Sequence, residues 1–175
     1  MTSPPSTSFS DAMNTKETIL ARLDALGVPY DRYDHPAATL EDCRRLPFAS
    51  PEVTVCKNIL LCNRQQTAFY LYLTLPDKPF RTSAVSHALG SSRLSFAPAD
   101  CLESMLHLHS GSLSPLGLWF DEARAITLAA DAEIRVTRRI AFHPCDNTCT
   151  VVFDQADFWE RVVPAMGAAP RFIEV

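Results

Sequence analysis

Two apolar runs, residues 53–62 and 67–75, flank the polar tetrapeptide Asn63-Arg64-Gln65-Gln66. Their period-two alternation predicts a β-hairpin. In the second run Phe69, Leu71, Leu73 and Leu75 fall on one face, and Tyr70, Tyr72 and Thr74 on the other. In the first, Val53, Val55, Ile59 and Leu61 share a face, and Lys57 falls on it too. Read as one continuous strand, the run turns a lysine inward with four aliphatic side chains. Desolvating an ammonium is expensive. Such a lysine either snorkels from the sheet edge or lines a cavity where a ligand supplies its partner. Asn58 follows on the opposite face, or beside Lys57 if a bulge intervenes.

A second informative stretch is Phe142-His143-Pro144-Cys145-Asp146-Asn147-Thr148-Cys149-Thr150. Pro144 fixes its own φ and pushes His143 towards extended backbone. His143 is therefore expected to end one strand and Thr148 to begin the next, around a short polar turn. A histidine at a strand end beside an asparagine across a tight loop can aim two hydrogen-bonding groups into one pocket. The plainer alternative is that His143 caps a strand and Asn147 serves the turn. In residues 107–118, two of the five glycines, Gly111 and Gly117, flank Pro115. Gly111 permits close backbone approach and Pro115 stiffens the exit, so main-chain groups can face a ligand.

The remaining elements alternate irregularly. Residues 1–13 are rich in Ser, Thr and Pro and are expected to be disordered. Asn14 reads as an N-cap with Glu17 completing a capping box, before a helix with an Ile19, Leu20, Leu23, Leu26 stripe and Gly27 as its stop. A strand over 30–34 precedes a Thr39-capped helix to Leu46, with Asp42 at its third position; Arg44 and Arg45 on it form a solvated face or a phosphate contact. Helices are expected over 82–89 (closed by Gly90), over 98–106 (core face Leu102, Met105 and Leu106), and after Asp154 (Phe158, Trp159, Val162 and Val163) as far as a break or kink at Pro164. Further strands fall at 94–96, 125–130, 140–143, 148–153 and 172–175. This order predicts an α+β fold: a single domain over 14–175 with a mixed central β-sheet flanked by helices.

At 175 residues the chain can bury one substantial core. It has no apolar run of membrane-spanning length. Its N-terminus lacks the basic-then-apolar order of a signal peptide, so a cytoplasmic location is expected. The net charge of −4 argues against a general DNA or RNA binder with a wide basic face, while leaving open a protein that grips one small end of a nucleic acid. The six cysteines, at 43, 56, 62, 101, 145 and 149, form no Cys-x-x-Cys pair and read as reduced thiols. His143-x-Cys145-x3-Cys149 and His107-x-His109 do not match structural zinc spacings, so neither metal nor cofactor is expected.

Taken together, Gly27-Val28-Pro29-Tyr30, Asp34-His35-Pro36, Lys57-Asn58-Ile59-Leu60, Leu94-Ser95-Phe96-Ala97, Gly111-Ser112-Leu113-Ser114-Pro115, and Phe142-His143-Pro144 with Asn147-Thr148 resemble the YbaK/prolyl-tRNA editing family of aminoacyl-tRNA deacylases, within it the free-standing editors of tRNA(Pro). They come in the family's order across roughly residues 16–175. Ser110, where a proline is frequent, and the glycine-free Val53-Thr54-Val55-Cys56 depart from its pattern. The resemblance implies hydrolysis of the ester between a wrong amino acid, alanine first, and the terminal adenosine of a tRNA. It implies that Lys57, Asn58 and His143 are catalytic, and that Gly111, Ser112, Leu113, Ser114, Pro115 and Asn147 handle the substrate. The implied partner is the acceptor 3′ end of a mischarged tRNA, with prolyl-tRNA synthetase as a second candidate.

An activated ester needs only an oriented water and support for the developing oxyanion. Lys57 suits the carbonyl oxygen or a phosphate, and Asn58 and His143 suit water or ribose hydroxyls. No motif pairs a nucleophilic Cys or Ser with a base, which disfavours an acyl-enzyme. Specificity would work by size, with Leu113, Leu116 and the aliphatics around Lys57 as pocket walls. Three alternatives stay open: a deacylase for another small amino acid (Cys-tRNA(Pro), or Ser- or Thr-tRNA), a non-catalytic module that binds aminoacyl-tRNA or a synthetase, and a metal-dependent hydrolase, which insensitivity to chelator would dismiss.

Overall fold

The computed structural model describes residues 9–109 and 111–175, the first six of them as backbone only. The disorder expected of residues 1–8 and the departure at Ser110 lie outside the described residues. The first helix, α1, spans Phe9–Leu26, so its backbone is already helical five residues ahead of Asn14. Nothing between Phe9 and Met13 is a Gly or Pro that would delay the start, and Asn14 lies inside the helix instead of capping it. Ile19, Leu20 and Leu23 are buried, and Gly27 ends the helix at φ 71°.

The chain is α+β as expected, with its strands divided between two mixed sheets. One has the order β1-β8-β7-β2, from β1 (Asp31–Asp34), β8 (Cys149–Asp154), β7 (Arg139–Phe142) and β2 (Val53–Val55). The other has the order β5-β3-β4-β6-β9, from β5 (Leu94–Phe96), β3 (Lys57–Asn63), β4 (Phe69–Thr74), β6 (Ile126–Asp131) and β9 (Arg171–Ile173). The hairpin appears as the antiparallel pair β3–β4, in register from Lys57↔Thr74 to Cys62↔Phe69.

The expected single strand over 53–62 is the main correction. The chain runs parallel to β7 as β2, leaves that sheet at the buried Cys56, and enters the other sheet as β3. Burial explains why alternation misleads here. Leu60 belongs to the large core between the sheets, with Leu71, Leu73, Ile140, Phe142, Val151 and Phe153. Ile59 and Leu61 belong to a second core on the other face of β3, with Tyr72 and with Val85 and Leu89 of α3 (Thr82–Leu89). With both faces of β3 covered, the apolar residues do not identify a single inward face.

Against the outer side of the four-stranded sheet lies α2 (Leu40–Cys43), whose Cys43 packs with Phe48, Ala141 and Val152. Its start follows the Thr39–Asp42 capping box: Asp42 N–H donates to Thr39 Oγ1 at 3.2 Å and Thr39 N–H to Asp42 Oδ2 at 2.9 Å. The helix closes at Cys43, short of Leu46. On the following turn Arg44 is held by Asp77 and Glu41 in exposed ion pairs. After Pro98, α4 spans Ala99–Leu106. The last helical stretch passes from α5 (Gln155–Asp157) through a π turn (Phe158–Val162) into α6 (Val163–Ala165), where Pro164 cannot donate a backbone bond. No helix among the described residues is long and apolar enough to cross a membrane.

Candidate active site

Strand β2 pairs with β7 in the register Val53↔Arg139 to Val55↔Ala141. Continued by two residues, that register would set Lys57 beside His143. The change of sheet at Cys56 opens the two chains into a fork instead, and a cavity of about 540 Å³ fills it. Lys57, Asn58, Ile59 and Leu60 line one side; Val55, Ala141, Phe142, His143 and Thr150 line the other. Residues 38–40, Cys43, Phe48, Phe96, Ala97, Leu102, Gly111, Leu113 and Asn147 complete the wall.

Lys57 is exposed at the cavity rim, not turned into an apolar interior. It is the first residue of β3, directly after the change of sheet at Cys56. No acidic side chain pairs with its ammonium among the described residues. Its cation is therefore available to an incoming anion or carbonyl oxygen.

Asn58, one position on, points the other way. Its Nδ2 donates to the Leu113 carbonyl at 3.0 Å, which ties β3 to the loop before the 3-10 helix Pro115–Phe120. Since a carbonyl only accepts, this bond settles the orientation of the amide. Asn58 Oδ1 is buried and has no hydrogen-bond partner among the described residues. An unpaired buried acceptor is costly, and because this oxygen is closed to solvent a donor reaches it only when the side chains around it shift.

His143 directly follows β7, as Pro144 led us to expect. Its Nδ1–H donates to the Cys149 carbonyl at 2.8 Å, which leaves Nε2 as the lone-pair nitrogen of the neutral ring. Burial draws its pKa below the ordinary 6.5; the bond to Cys149 opposes this, and nearby His35 adds to it. His35 is fixed by the same logic. Its Nδ1–H donates to the Pro36 carbonyl (2.8 Å), so its Nε2 accepts from the Thr150 hydroxyl (2.8 Å), whose oxygen lies 3.3 Å from His143 Nδ1. Cys43 Sγ lies 3.9 Å from His143 Nε2, and burial pushes that thiol's pKa up, so it is a neutral neighbour and no thiolate.

The turn between β7 and β8 is held by Asp146, which accepts from the Thr148 N–H and hydroxyl, and Cys145 adopts a positive φ of 59°. Asn147 is thus not needed as the turn's side-chain anchor, and it lines the cavity. Its carbonyl accepts from Ala38 N–H at 3.1 Å, and that of Thr148 from His35 N–H at 2.9 Å, so the turn and the His35 segment are one unit.

Of the residues singled out in the sequence, Lys57, Asn58, His143, Gly111, Leu113 and Asn147 meet at this cavity. Ser112, Ser114 and Pro115 do not line it. Ser112 closes a turn onto the His109 carbonyl at 2.8 Å, Ser114 Oγ caps the 3-10 helix by accepting from Leu116 N–H, and Pro115 begins that helix. Of the candidate walls, Leu116 lies in the large core, while Leu113 and, flanking Lys57, Val55 and Ile59 line the cavity. Sequence reasoning missed Thr150 and Cys43, which carry no local signal, and assigned no role to His35 despite His35-Pro36.

Residues 34–160 match the family described as the aminoacyl-tRNA editing domain. This chain belongs to that family. Its activity is that of an aminoacyl-tRNA deacylase. The editing domain is 30% identical over 164 residues to the prolyl-tRNA editing protein ProX of Acetoanaerobium sticklandii, across 93% of this chain and 99% of the relative. It is also 30% identical over 105 residues to the zebrafish (Danio rerio) prolyl-tRNA synthetase associated domain-containing protein 1, across 59% of this chain and 56% of the relative. A solved structure described as a candidate trans-editing enzyme for prolyl-tRNA synthetase shares its fold, with a TM-score of 0.69 at 11% identity over 92% of this chain and 97% of the other.

Proposed function

We propose that this deacylase removes a small wrong amino acid, alanine first, from tRNA(Pro) released by its synthetase. The observation that carries the reading is the fork cavity, whose lining brings an unpaired cation, Asn58 and the His143 imidazole to one site, with the neutral Cys43 thiol as the neighbour of that imidazole. The likeness to ProX, a protein named for prolyl-tRNA editing, supports the choice of tRNA.

The chemistry follows from which atoms donate and which accept. Asn58 Oδ1 and His143 Nε2 are both acceptors: Nε2 can hold a hydrogen of an attacking water or a ribose hydroxyl in place of the Cys43 S–H, and Oδ1 can do the same once it is opened to the cavity. Neither can stabilise an oxyanion. Lys57 is the group suited to that role, or to the terminal phosphate. The neutral His143 draws a proton from the water as the carbonyl carbon is attacked and returns it to the leaving ribose oxygen. About 540 Å³ is far more than an alanyl group fills, which leaves room for the terminal nucleoside as well. Size selection falls to the apolar walls near Val55, Ile59 and Leu113. Six free, buried thiols support a reducing, cytosolic setting.

The test is release of labelled alanine, cysteine and serine from mischarged tRNA(Pro), with and without prolyl-tRNA synthetase. Alanine is expected to be released fastest, and Lys57→Ala to abolish release while leaving the melting curve unchanged, since Lys57 is exposed. Full activity of that variant would remove the lysine from the mechanism.

A further inference from the structure

Among the described residues three large apolar side chains are exposed, Phe96, Val136 and Val175, and of these Phe96 alone lines the cavity. It is 61% exposed yet held in place. It ends β5 opposite Leu61, and the next residue is anchored by Ala97 N–H donating to the Leu60 carbonyl at 2.9 Å. Phe80 packs edge-on against its ring, with centroids 5.6 Å apart and planes at 62°, and Phe80 is in turn 5.9 Å from the buried Tyr72. Strand alternation puts Lys57, Ile59 and Leu61 on one face of β3, and the pairing puts Phe96 on the same side. The cavity rim thus presents a rigid open aromatic ring and an unpaired ammonium from one face of one sheet. The two groups stand four residues apart along β3, roughly 13 Å by strand geometry, and an aromatic platform and a cation along one face are the groups that a nucleotide end requires, stacking for its base and charge for its phosphate.

We infer that Phe96 is the stacking platform for the terminal base of the tRNA, the acyl ester lying deeper towards His143. The inference rests on the tRNA reading above and adds to it the residue that binds the base. Stacking acts on the bound nucleoside whether or not the ester is reacting, so its loss raises KM and leaves kcat little changed. Phe96→Leu keeps the apolar contact with Phe80 and removes the π face; Phe96→Trp keeps the face.

The experiment measures deacylation of mischarged tRNA by wild type, Phe96→Leu and Phe96→Trp, together with tryptophan fluorescence of Phe96→Trp titrated with adenosine 5′-monophosphate. For Phe96→Leu, KM is expected to rise by roughly 5- to 150-fold, the range that one base–aromatic stack commands. Phe96→Trp is expected to stay near wild type, and its added emission to be quenched by the nucleotide beyond any change seen with Trp119 and Trp159 in the wild-type chain. An unchanged KM for Phe96→Leu, or added emission in Phe96→Trp that the nucleotide fails to quench, overturns the platform; the first outcome would fit a ring that contacts a protein partner. If the wild-type chain hydrolyses no mischarged tRNA, the deacylase reading fails on its own, and the fluorescence titration still decides whether residue 96 binds a base.

Discussion

Asn58 offers the sharpest test of the site because its two amide atoms do different things. Nδ2 ties the strand to the Leu113 carbonyl, and Oδ1 is buried with no partner among the described residues. In Asn58→Ala both are lost. Losing the tether is a stability effect: a single neutral hydrogen bond contributes about 0.5–1.5 kcal/mol net. Losing the acceptor is an activity effect. Leaving a buried acceptor unpaired costs roughly 1–3 kcal/mol. A ligand donor that satisfies Oδ1 recovers that penalty on binding or at the transition state. The variant forgoes the recovery, so kcat/KM is expected to fall by roughly 5- to 150-fold, at about 1.4 kcal/mol per factor of ten.

Asn58→Asp separates the two effects. A carboxylate still accepts but cannot donate to Leu113, so the loop is released while the acceptor survives. Greater sensitivity to proteolysis near Gly111 is expected in both variants, and a residual activity above that of the alanine variant only in Asn58→Asp. The assay is single-turnover deacylation alongside urea denaturation. An alanine variant within a factor of about two of wild type in kcat/KM would refute the reasoning, because even the lower penalty predicts more. So would an activity loss that simply tracks the unfolded fraction.

Other outcomes follow from the same coordinates. Because burial holds the His143 pKa below the ordinary 6.5, its neutral form persists down to and below that value, and kcat/KM is expected to hold through pH 6.5 and to fall only at lower pH than an ordinary histidine would give. Stability follows the same sign: the unfolded chain takes up a proton near 6.5 while folded His143 does not, so its contribution is complete above 6.5 and declines as pH falls towards the lower folded value; a pH series of urea midpoints for wild type and His143→Gln isolates it. Cys43→Ala is expected to retain deacylation and to leave no acyl-enzyme detectable by mass spectrometry, since the thiol beside His143 is neutral; its complete inactivation with unchanged folding would point to a covalent route. Lys78→Met should cost about 3 kcal/mol in urea denaturation without touching the site, because Lys78 bonds the buried Asp131 at 2.6 Å and its removal takes away that carboxylate's countercharge, leaving only the Glu133 N–H and the Tyr72 hydroxyl as donors.

What the sequence discloses depends on how far away each residue's partner lies. Helix α3 with its Gly90 stop and the Thr39–Asp42 cap are written in adjacent residues, and both occur as read. So is the extended His143, which Pro144 imposes. The start of α1 is obscured because a plausible capping box at Asn14 occurs inside a stretch that the backbone carries as helix. The break at Cys56 is not legible: β2 owes its place to a parallel partner, β7, far along the chain, and nothing in Val55-Cys56-Lys57 marks a change of sheet. The exposure of Lys57 follows from that break. His35, Thr150 and Cys43 stay silent because each acquires its meaning from a partner that only the fold supplies.

The same break explains why adjacent residues can serve one ligand at all. In an uninterrupted strand Lys57 and Asn58 would project to opposite sides of the sheet, with the strand itself between them. Here both line one cavity, the lysine at its rim and the asparagine against Leu113. That is possible only where a strand begins, since there a cavity can wrap around its end. The switch at the buried Cys56 creates this end beside β7, and His143 continues from β7 across the opening. A change that restored continuity between β2 and β3 would therefore keep every one of these side chains and still dissolve the site. On this geometry the candidate site is the fork together with the three residues arranged around it.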